Sequence, residues 1–341
     1  MKIAVDIMSG DNPAEELIDG VCRYISKFKD DIILIGDEKR IRKKLLLHPF
    51  EKRYIEIIHT DEIITMNDSP TEGYKKKKNA TVTLAARLVK EKKASGFFSP
   101  GNTGAALVAS LFEIGKIKNI SRPAIAAVLP NLTGSTILID AGANVDCKPH
   151  FLVEFAIMAS VFCKQVLKIE NPRVGLLSNG EEDEKGNEFT LKVFSLIKNN
   201  EYIKSLFQFI GNVEGYDLFN GSVDIVVSDG FTGNIALKTA EGVSKVIFKI
   251  LKEEIQKSLI SKIGAMILKD TFKKLKKRID ANEYGGAPLL GIDGNVIIGH
   301  GSSNAKATFN ALRTLRYMDQ FQLHNHLEQT FKNKNLIKNP D

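Results

Sequence analysis

Apolar residues fall in short uninterrupted runs along the chain, and each run is followed by a turn rich in Gly, Asn or Ser and then by helical periodicity. Runs of this kind occupy residues 3–7, 32–35, 96–99, 136–140, 174–177, 223–227 and 296–299. Strands that are buried on both faces have such continuous apolar sequences. Their alternation with helices predicts βαβ units and a mainly parallel sheet.

Helical periodicity is clear at 103–115, 151–168, 187–197 and from about 303 onwards. A longer helical segment spans about 240–279, where apolar residues recur every three or four positions. A single helix of about 40 residues would be about 60 Å long, which is too long for one compact domain. We therefore expect a helical hairpin that bends near 261–264 and projects from the sheet.

Composition places the chain among ordinary globular proteins. Of its 341 residues, 43% are hydrophobic and 26% are charged, a balance that excludes disordered and collagen-like classes. No linker rich in Pro or Ser divides the chain, so we expect a single α/β domain over residues 1–341, with the helical excursion at about 240–279. The three cysteines form no CxxC pair, and the first apolar run is too short for a signal peptide. No stretch reaches the roughly 18 apolar residues of a membrane span, so we expect a cytoplasmic protein.

The net charge of +7 is concentrated in the helical excursion. Between Lys245 and Arg278, ten lysines and one arginine stand against three acidic residues, so this segment carries +8 and the remainder sums to −1. Apolar residues cluster at the expected tip of the hairpin, among them Leu259, Ile260, Ile263 and Ile267. Basic flanks around an apolar cluster predict contact with an anionic membrane surface; a dimer or core helix pair is the alternative. Nucleic-acid binding is not expected, because no interleaved aromatic residues and no recognisable module occur.

Glycine-rich turns after the strands carry the strongest indication of chemistry. Open parallel sheets bind ligands at the carboxyl ends of their strands, and N–H groups at helix N-termini suit an anion such as phosphate. The sequence contains no P-loop, no GxSxG and no HExxH, and we expect no metal site. Lys185 ends an acidic run directly before Gly186 and a helix. It is a candidate cation for a bound anion, with a solvated surface loop as the alternative.

Eight sequence motifs stand in the loops and at their borders: AVDIMSGD at 4–11, SPGNTGA at 99–105, SRPAI at 121–125, DAGANVDCKP at 140–149, GNVEG at 211–215, SDGFTGN at 228–234, EYGGAPLLG at 283–291 and HGSSNA at 300–305. In this order they resemble one family, the bacterial phosphate acyltransferases (acyl-[acyl carrier protein]:phosphate acyltransferases, the PlsX family). The resemblance runs from Met1 to about Leu315. The chain departs from the family at Ser9, where Gly is usual, and in the amino-acid sequence of residues 178–182.

The resemblance implies a Rossmann-like α/β/α sandwich with a mainly parallel sheet, similar to phosphotransacetylases, that works as a homodimer. It implies transfer of a long-chain fatty acyl group from acyl carrier protein to inorganic phosphate. The acyl phosphate would pass to a membrane glycerol-3-phosphate acyltransferase for phospholipid synthesis. No cofactor is implied, since phosphopantetheine enters on the carrier protein. A short-chain phosphotransacetylase or an NAD-dependent decarboxylating dehydrogenase on a related scaffold is the alternative.

Phosphate is itself a nucleophile, so the site has to hold an anion beside a thioester and stabilise the oxyanion that develops. From the resemblance and this chemistry we expect three walls of phosphate- and substrate-binding residues, namely Asn102, Thr103 and Gly104; Asp229, Gly230 and Asn234; and Ser302, Ser303 and Asn304. Lys185 is the expected phosphate cation and Lys148 a second candidate. His300 would protonate the leaving thiolate or orient a loop. The expected catalytic residues are Lys185, Asn234, His300 and Asp229.

Overall fold

The protein is described by a computed structural model that covers residues 1–332, apart from the side chains of Lys276 and Ala281. Within this range eleven strands form one sheet. The strands are β1 (Lys2–Asp6), β2 (Asp31–Gly36), β3 (Ile55–His59), β4 (Gly96–Ser99), β5 (Ala124–Pro130), β6 (Ser135–Ile139), β7 (Arg173–Leu177), β8 (Gln208–Val213), β9 (Ile225–Val227), β10 (Ala287–Leu290) and β11 (Asn295–Ile298).

Helices cover both faces of this sheet. They are α1 (Ala14–Phe28), α2 (Glu38–Leu45), α3 (Pro70–Lys76), α4 (Thr81–Lys90), α5 (Thr103–Ala109), α6 (Pro149–Phe162), α7 (Glu188–Lys198), α8 (Glu201–Leu206), α9 (Asp217–Asn220), α10 (Gly230–Gln256), α11 (Leu259–Ile267), α12 (Lys269–Ile279), α13 (Ala305–Gln320) and α14 (Leu323–Phe331). Single π-helical turns at Ser110–Ile114 and Cys163–Leu167 extend α5 and α6.

The order of the strands is β3-β2-β1-β4-β11-β10-β5-β6-β9-β7-β8. Neighbours are parallel except for β11–β10, β10–β5 and β5–β6, which are antiparallel. Three successive reversals turn β6, β7, β8 and β9 opposite to β1, β2, β3, β4 and β11. The predicted mainly parallel α/β sheet is therefore confirmed, but it consists of two parallel halves that run in opposite directions.

Each face of the sheet has its own helices. The helices α1, α6, α7, α13 and α14 pack on one face, where Tyr24, Phe155 and Leu312 are fully buried. The helices α4 and α5 pack on the other face over the first half of the sheet. The start of α10 covers the second half through Leu237. The continuous apolar runs in the sequence follow from burial of the strands between these two layers.

All seven predicted strands are present within one or two residues of their predicted positions, whereas β3, β5, β8 and β10 were not anticipated from the sequence. The helix Pro149–Leu167 is long and apolar enough to cross a membrane by length and composition, and 72% of its apolar window is buried. This corrects the expectation that no segment meets that criterion. This burial is typical of a core helix, and the helix lies in the layer that contains α1 and α13.

The excursion differs from the predicted hairpin in its start and its bends. It begins with α10 at Gly230 rather than near 240, and it comprises three helices instead of two. Residues 261–264 lie inside α11, so the predicted bend there is wrong; the chain turns at Lys257–Ser258 and at Leu268. At the base of the excursion, Arg278 donates hydrogen bonds to the carbonyl groups of Asn131 and Leu132 in the β5–β6 turn.

Candidate functional site

The sheet has two places where helices leave neighbouring strands toward opposite faces, and such switch points form ligand crevices. The first lies between β1, which leads to α1 on one face, and β4, which leads to α5 on the other. The second lies between β7, which leads to α7, and β9, which leads to α10. Because the two halves of the sheet are antiparallel, the carboxyl ends of their strands point in opposite directions, and the two crevices lie at opposite ends of the strands. We refer to these two ends of the sheet as its edges, and we call the crevices the first-half crevice and the second-half crevice.

In the first-half crevice the polar side chains are largely used to hold the loops together. The Asn102 carbonyl caps α5 by accepting from the Ala105 N–H at 3.1 Å. Its amide donates to the carbonyl groups of Thr65 and Asp68, each at 3.2 Å. Gly104 is tight against Pro70, because a Cβ at Gly104 would lie 2.5 Å from that ring. Thr103 is exposed at the start of α5.

The loop after β11 belongs to the same crevice. Ser302 donates its N–H to His300 Nδ1 at 3.1 Å, so in the neutral ring the proton lies on Nε2. Asn304 caps α13 by accepting from the N–H groups of Lys306 and Ala307, each at 3.0 Å. Ser303 is buried, and its carbonyl accepts a hydrogen bond from Asn12 at 2.9 Å. His300 itself is exposed.

The second-half crevice is organised by a fully buried carboxylate at the end of β6. Asp140 Oδ1 accepts from the N–H groups of Ile125, Gly142 and Ala143 at 3.0, 3.1 and 3.0 Å. Its Oδ2 accepts from the N–H and the side-chain amide of Asn144 at 2.7 and 2.8 Å. Burial raises the pKa of Asp140 in spite of these bonds. The carboxylate fixes the loop that follows β6 against the start of β5.

The adjacent wall of this crevice is the N-terminus of α10. Asp229 caps the helix by accepting from the Thr232 N–H at 2.8 Å, and the Gly230 N–H donates to the Asn144 carbonyl at 2.8 Å. Gly230 permits this approach, because a Cβ there would lie 2.5 Å from that carbonyl oxygen. Asn234 is exposed beside Gly142, and no hydrogen bond engages its amide within the described residues.

Lys185 lies across the switch point on the loop that follows β7. Asn212 of β8 anchors this loop by donating to the Glu182 carbonyl at 2.8 Å. The stem of Lys185 packs on Gly180, where a Cβ would lie 2.8 Å from Lys185 Cγ. The Lys185 side chain is exposed, and among the residues that the structure describes no carboxylate lies within 4 Å of its ammonium group. It is a cation without a committed partner.

Two buried oxygens at this edge have no hydrogen-bond partner within the described part of the chain, namely Ser228 Oγ and Asn212 Oδ1. Ser228 is 3% exposed and Asn212 is 4% exposed, so solvent does not satisfy them readily. Buried polar groups that lack a partner usually bind water or a ligand. Both belong to strands or loops that border the second-half crevice.

Lys148 and Cys147 border the second-half crevice on the β6 side. Lys148 is exposed and precedes α6. Burial, followed by the charge of Lys148, lowers the pKa of His150 below its ordinary value. Burial raises the pKa of the Cys147 thiol to about 11, and the thiol donates to the Asn144 carbonyl at 3.4 Å. At neutral pH Cys147 is a protonated thiol and a poor nucleophile.

The structure therefore divides the predicted site. Lys148, Lys185, Asp229, Gly230 and Asn234 share the second-half crevice. The other predicted residues share the first-half crevice: Asn102, Thr103, Gly104, His300, Ser302, Ser303 and Asn304. Within one chain these two groups therefore lie at opposite ends of the strands, and the expectation that three walls surround one phosphate stays a prediction. The sequence could not reveal this, because every loop follows the carboxyl end of its own strand.

Asp140, Asn144 and Asn212 position the second-half crevice and were not among the predicted site residues. Asp140 and Asn144 fall in the quoted motif at 140–149, and Asn212 falls in the motif at 211–215. The motifs were therefore a usable signal for them. Within residues 1–332, no group of three or more His, Cys, Asp or Glu side chains is arranged to hold a metal ion. The absence of a metal in the functional protein stays a prediction.

Comparisons with known proteins agree over nearly the whole chain. A family model described as "Fatty acid synthesis protein" matches residues 1–325. A phosphate acyltransferase of Pelotomaculum thermopropionicum is 48% identical over 316 residues, which are 93% of this chain and 91% of that protein. A phosphate acyltransferase of Brachyspira hyodysenteriae is 47% identical over 322 residues, 94% of each chain.

Solved structures match the fold. A phosphotransacetylase from Streptococcus pyogenes superposes with a TM-score of 0.63 at 17% identity, covering 94% of both chains. The EutD phosphotransacetylase from Staphylococcus aureus superposes with a TM-score of 0.59 at 14% identity, again over 94% of both chains. At these identities the likeness extends to the fold alone, and it confirms the predicted similarity to the phosphotransacetylase fold.

Proposed function

The chain belongs to the phosphate acyltransferase family, and from this membership we propose that it moves a long-chain fatty acyl group from acyl carrier protein to inorganic phosphate. The product is an acyl phosphate for phospholipid (phosphatidic acid) synthesis. Membership makes the protein an acyltransferase of the fatty acid synthesis family. The carrier-bound substrate and the acyl phosphate product are the proposed part.

One observation supports a location for the reaction. Lys185 has no acidic partner among the described residues, and it lies opposite the N-terminus of α10 at a switch point. A cation and a helix N-terminus together favour a bound phosphate. The exposed amide of Asn234 lies at the same crevice. The polar side chains at the other edge, such as Asn102, already serve as helix caps and loop ties. We therefore place phosphate in the second-half crevice.

The reaction needs no nucleophile from the protein. A phosphate oxygen held by Lys185 attacks the thioester carbonyl carbon, and the carbonyl oxygen becomes an oxyanion. We assign the stabilisation of that oxyanion to the Asn234 amide, which no hydrogen bond engages within the described residues. The carbon–sulfur bond then breaks, and the phosphopantetheine sulfur leaves as a thiolate. The raised pKa of Cys147 argues against an acyl-cysteine intermediate. His300 lies at the other edge, so we withdraw it as the acid, and the thiolate takes its proton from water.

The test is an assay of purified protein with long-chain acyl carrier protein and phosphate. We expect acyl phosphate, trapped by hydroxylamine, and free carrier thiol in equal amounts, both dependent on phosphate. Lys185→Gln should lower kcat about 100-fold, because one group that stabilises charge in the transition state is lost. Lys192→Gln is the matched control, since Lys192 is a nearby exposed lysine paired with Glu188.

Carrier thiol released at the same rate without phosphate would contradict the proposed reaction. Faster turnover of acetyl-coenzyme A than of the carrier substrate would favour the short-chain phosphotransacetylase instead. Reduction of NAD with a hydroxy acid would favour the dehydrogenase. Equal activity of Lys185→Gln and the wild type would remove Lys185 from the site but not the activity from the protein.

We further propose that the protein is cytoplasmic and that it binds peripherally to the surface of an anionic membrane. The support is the helix α11, whose side chains at Leu259, Ile260, Ile263 and Ile267 are 77%, 83%, 60% and 78% exposed. An amphiphilic product, destined for a membrane glycerol-3-phosphate acyltransferase, would be released where its next enzyme resides. A homodimer is proposed from a second apolar surface, on α10.

A further inference from the structure

The short loop 121–123, between the π-helical turn after α5 and strand β5, is held more firmly than its exposure suggests. The Glu154 carboxylate of α6 is 5% exposed. It accepts from the Ser121 N–H at 2.8 Å and from the Ser121 hydroxyl at 2.7 Å. The Arg122 N–H also bonds to Glu154, and burial raises the pKa of this carboxyl in spite of those bonds. A buried carboxylate of the core helix α6 thus fixes the backbone of an exposed arginine.

Two further ties complete the loop. Lys116 Nζ donates to the Ser121 carbonyl at 2.7 Å, and the Asn144 amide donates to the Pro123 carbonyl at 2.8 Å. Asn144 is itself held by Asp140. The loop is therefore connected directly to the loop that borders the second-half crevice.

The Arg122 side chain is presented at this edge as a free cation. Its guanidinium carbon lies 5.9 Å from the centre of the Phe151 ring, and His150 packs edge-on against the same ring at 4.6 Å. Lys148 acts on His150 through its charge. Across residues 1–332, no carboxylate lies within 4 Å of the Arg122 guanidinium or the Lys148 ammonium group. These side chains form a basic rim beside the crevice, which we call the Arg122 rim.

We propose that the Arg122 rim is the docking surface for the acidic face of acyl carrier protein. This inference rests on the proposed function, which makes that protein the acyl donor. An exposed guanidinium suits carboxylates on a partner surface, because its planar fork can donate two parallel hydrogen bonds to one carboxylate and loses less entropy per hydrogen bond than a lysine does. The rim lies at the edge that holds Lys185, so a carrier docked there can deliver its arm to the crevice. The larger basic surface, on the excursion, projects beyond the opposite edge.

The experiment compares two acyl donors that differ only in the presence of a carrier. Steady-state rates are measured with long-chain acyl carrier protein and with the corresponding N-acetylcysteamine thioester, which has neither protein nor phosphate. In Arg122→Gln, we expect the ratio of kcat/KM for the carrier substrate to kcat/KM for the small thioester to fall about 10-fold. Arg122→Lys, which keeps the charge but not the planar fork, should recover part of that loss. Lys277→Gln, on α12, is the control of equal charge and should leave the ratio unchanged.

Salt adds a second readout that a purely structural role would not move. The KM for the carrier substrate should rise with ionic strength in the wild type, and it should rise less steeply in Arg122→Gln. Glu154→Gln weakens the tie to the loop, so it should lower the same substrate ratio by a smaller factor, which makes Glu154 a positioning residue.

Three outcomes would overturn the docking surface. An equal fall with both donors would place Arg122 at the reacting centre, and unchanged rates with both donors would remove it from recognition. A fall that also appears with acyl-coenzyme A would assign Arg122 to the phosphate of the pantetheine arm. Failure of the proposed function is distinct from all three, because the wild type itself would then show no phosphate-dependent release of carrier thiol.

Discussion

At the scale of single residues, the chemistry depends on which polar side chains already have partners. Asn102 and Lys185 both follow strands in loops rich in glycine. The two ends of the Asn102 amide are bonded to α5 and to the loop at 65–68, which leaves it little capacity to bind a ligand. Lys185 rests its stem on Gly180 and carries an ammonium group without an acidic partner among the described residues. Asn102 and Lys185 have similar sequence contexts, but only the polar groups of Asn102 are already bonded within the protein.

His150 provides a pH test of the crevice. Lys148→Gln should raise the pKa of His150, because it removes a cation that disfavours the imidazolium; the pKa should stay below 6.5, since burial is the larger cause. The group's contribution to stability is present above pH 6.5 and is lost as the pH falls through the lowered value. NMR titration of the ring Hε1 proton measures the shift.

Lys192→Gln serves as the control for this titration and should leave His150 unchanged. A wild-type His150 that titrates at or above 6.5 would contradict the buried, cation-flanked environment. An unchanged His150 in Lys148→Gln would show that the two side chains do not interact.

At the scale of elements, the excursion formed by α10, α11 and α12 presents apolar surface that nothing in the described chain covers. The helix α11 has no buried residue. Its large apolar side chains follow the spacing i, i+1, i+4 and i+8 at Leu259, Ile260, Ile263 and Ile267, which is one face of a helix. Lysines flank this face on α10 and α12. Such a pattern was readable in the sequence, whereas the number of helices and the positions of the turns were not.

The membrane proposal is tested at this tip. Ile260→Glu combined with Ile263→Glu should reduce binding to anionic liposomes more than 10-fold, because it removes apolar contact and adds repulsion from the lipid charge. Activity on soluble acyl carrier protein should be retained, since the tip projects away from the crevice. Co-sedimentation with phosphatidylglycerol vesicles measures the binding.

A matched control adds the same two charges and keeps the apolar face. Gln256→Glu combined with Ser261→Glu does so at exposed polar positions, and it should weaken binding far less. If both double variants bind liposomes like the wild type, the tip is not the anchor. If both lose binding equally, charge alone accounts for the association.

At the scale of the whole molecule, a second apolar surface favours a partner of the same kind. Val243, Val246, Ile247 and Ile250 of α10 are 52%, 56%, 58% and 53% exposed, and their spacing puts them on one face. A stripe on a helix that projects from the sheet can pack against its own copy in an isologous contact. This supports the proposed homodimer and separates its surface from the tip on α11.

Sedimentation velocity tests the dimer. The wild type should sediment as a dimer, and Ile250→Arg should shift it toward the monomer, because an unpaired charge would have to be buried in the interface. Gln256→Arg adds the same charge at the exposed end of α10, outside this apolar face, and should leave the dimer intact. A monomeric wild type at micromolar concentration would contradict the proposal, and so would an Ile250→Arg variant that remains fully dimeric.

The sequence by itself determined what depends on local pattern. Apolar runs placed seven strands, spacing of three and four residues placed the main helices, and the charge count placed +8 on the excursion. The apolar pattern and the charge of a segment depend only on its own residues, so the sequence is enough to predict these features. The motif strings likewise indicated the family that the comparisons establish.

Only the tertiary structure decided which loops meet. The three antiparallel pairs at β10 and β5 reverse the second half of the sheet, so residues that look alike in sequence lie at opposite edges. Asn102 contacts Thr65, Asp140 contacts Ile125 of β5 and Arg122 contacts Phe151 of α6, and no local pattern encodes these three contacts. Strand direction and long-range hydrogen bonding are properties of the assembled sheet, and the proposal that the chemistry lies around Lys185 rests on them.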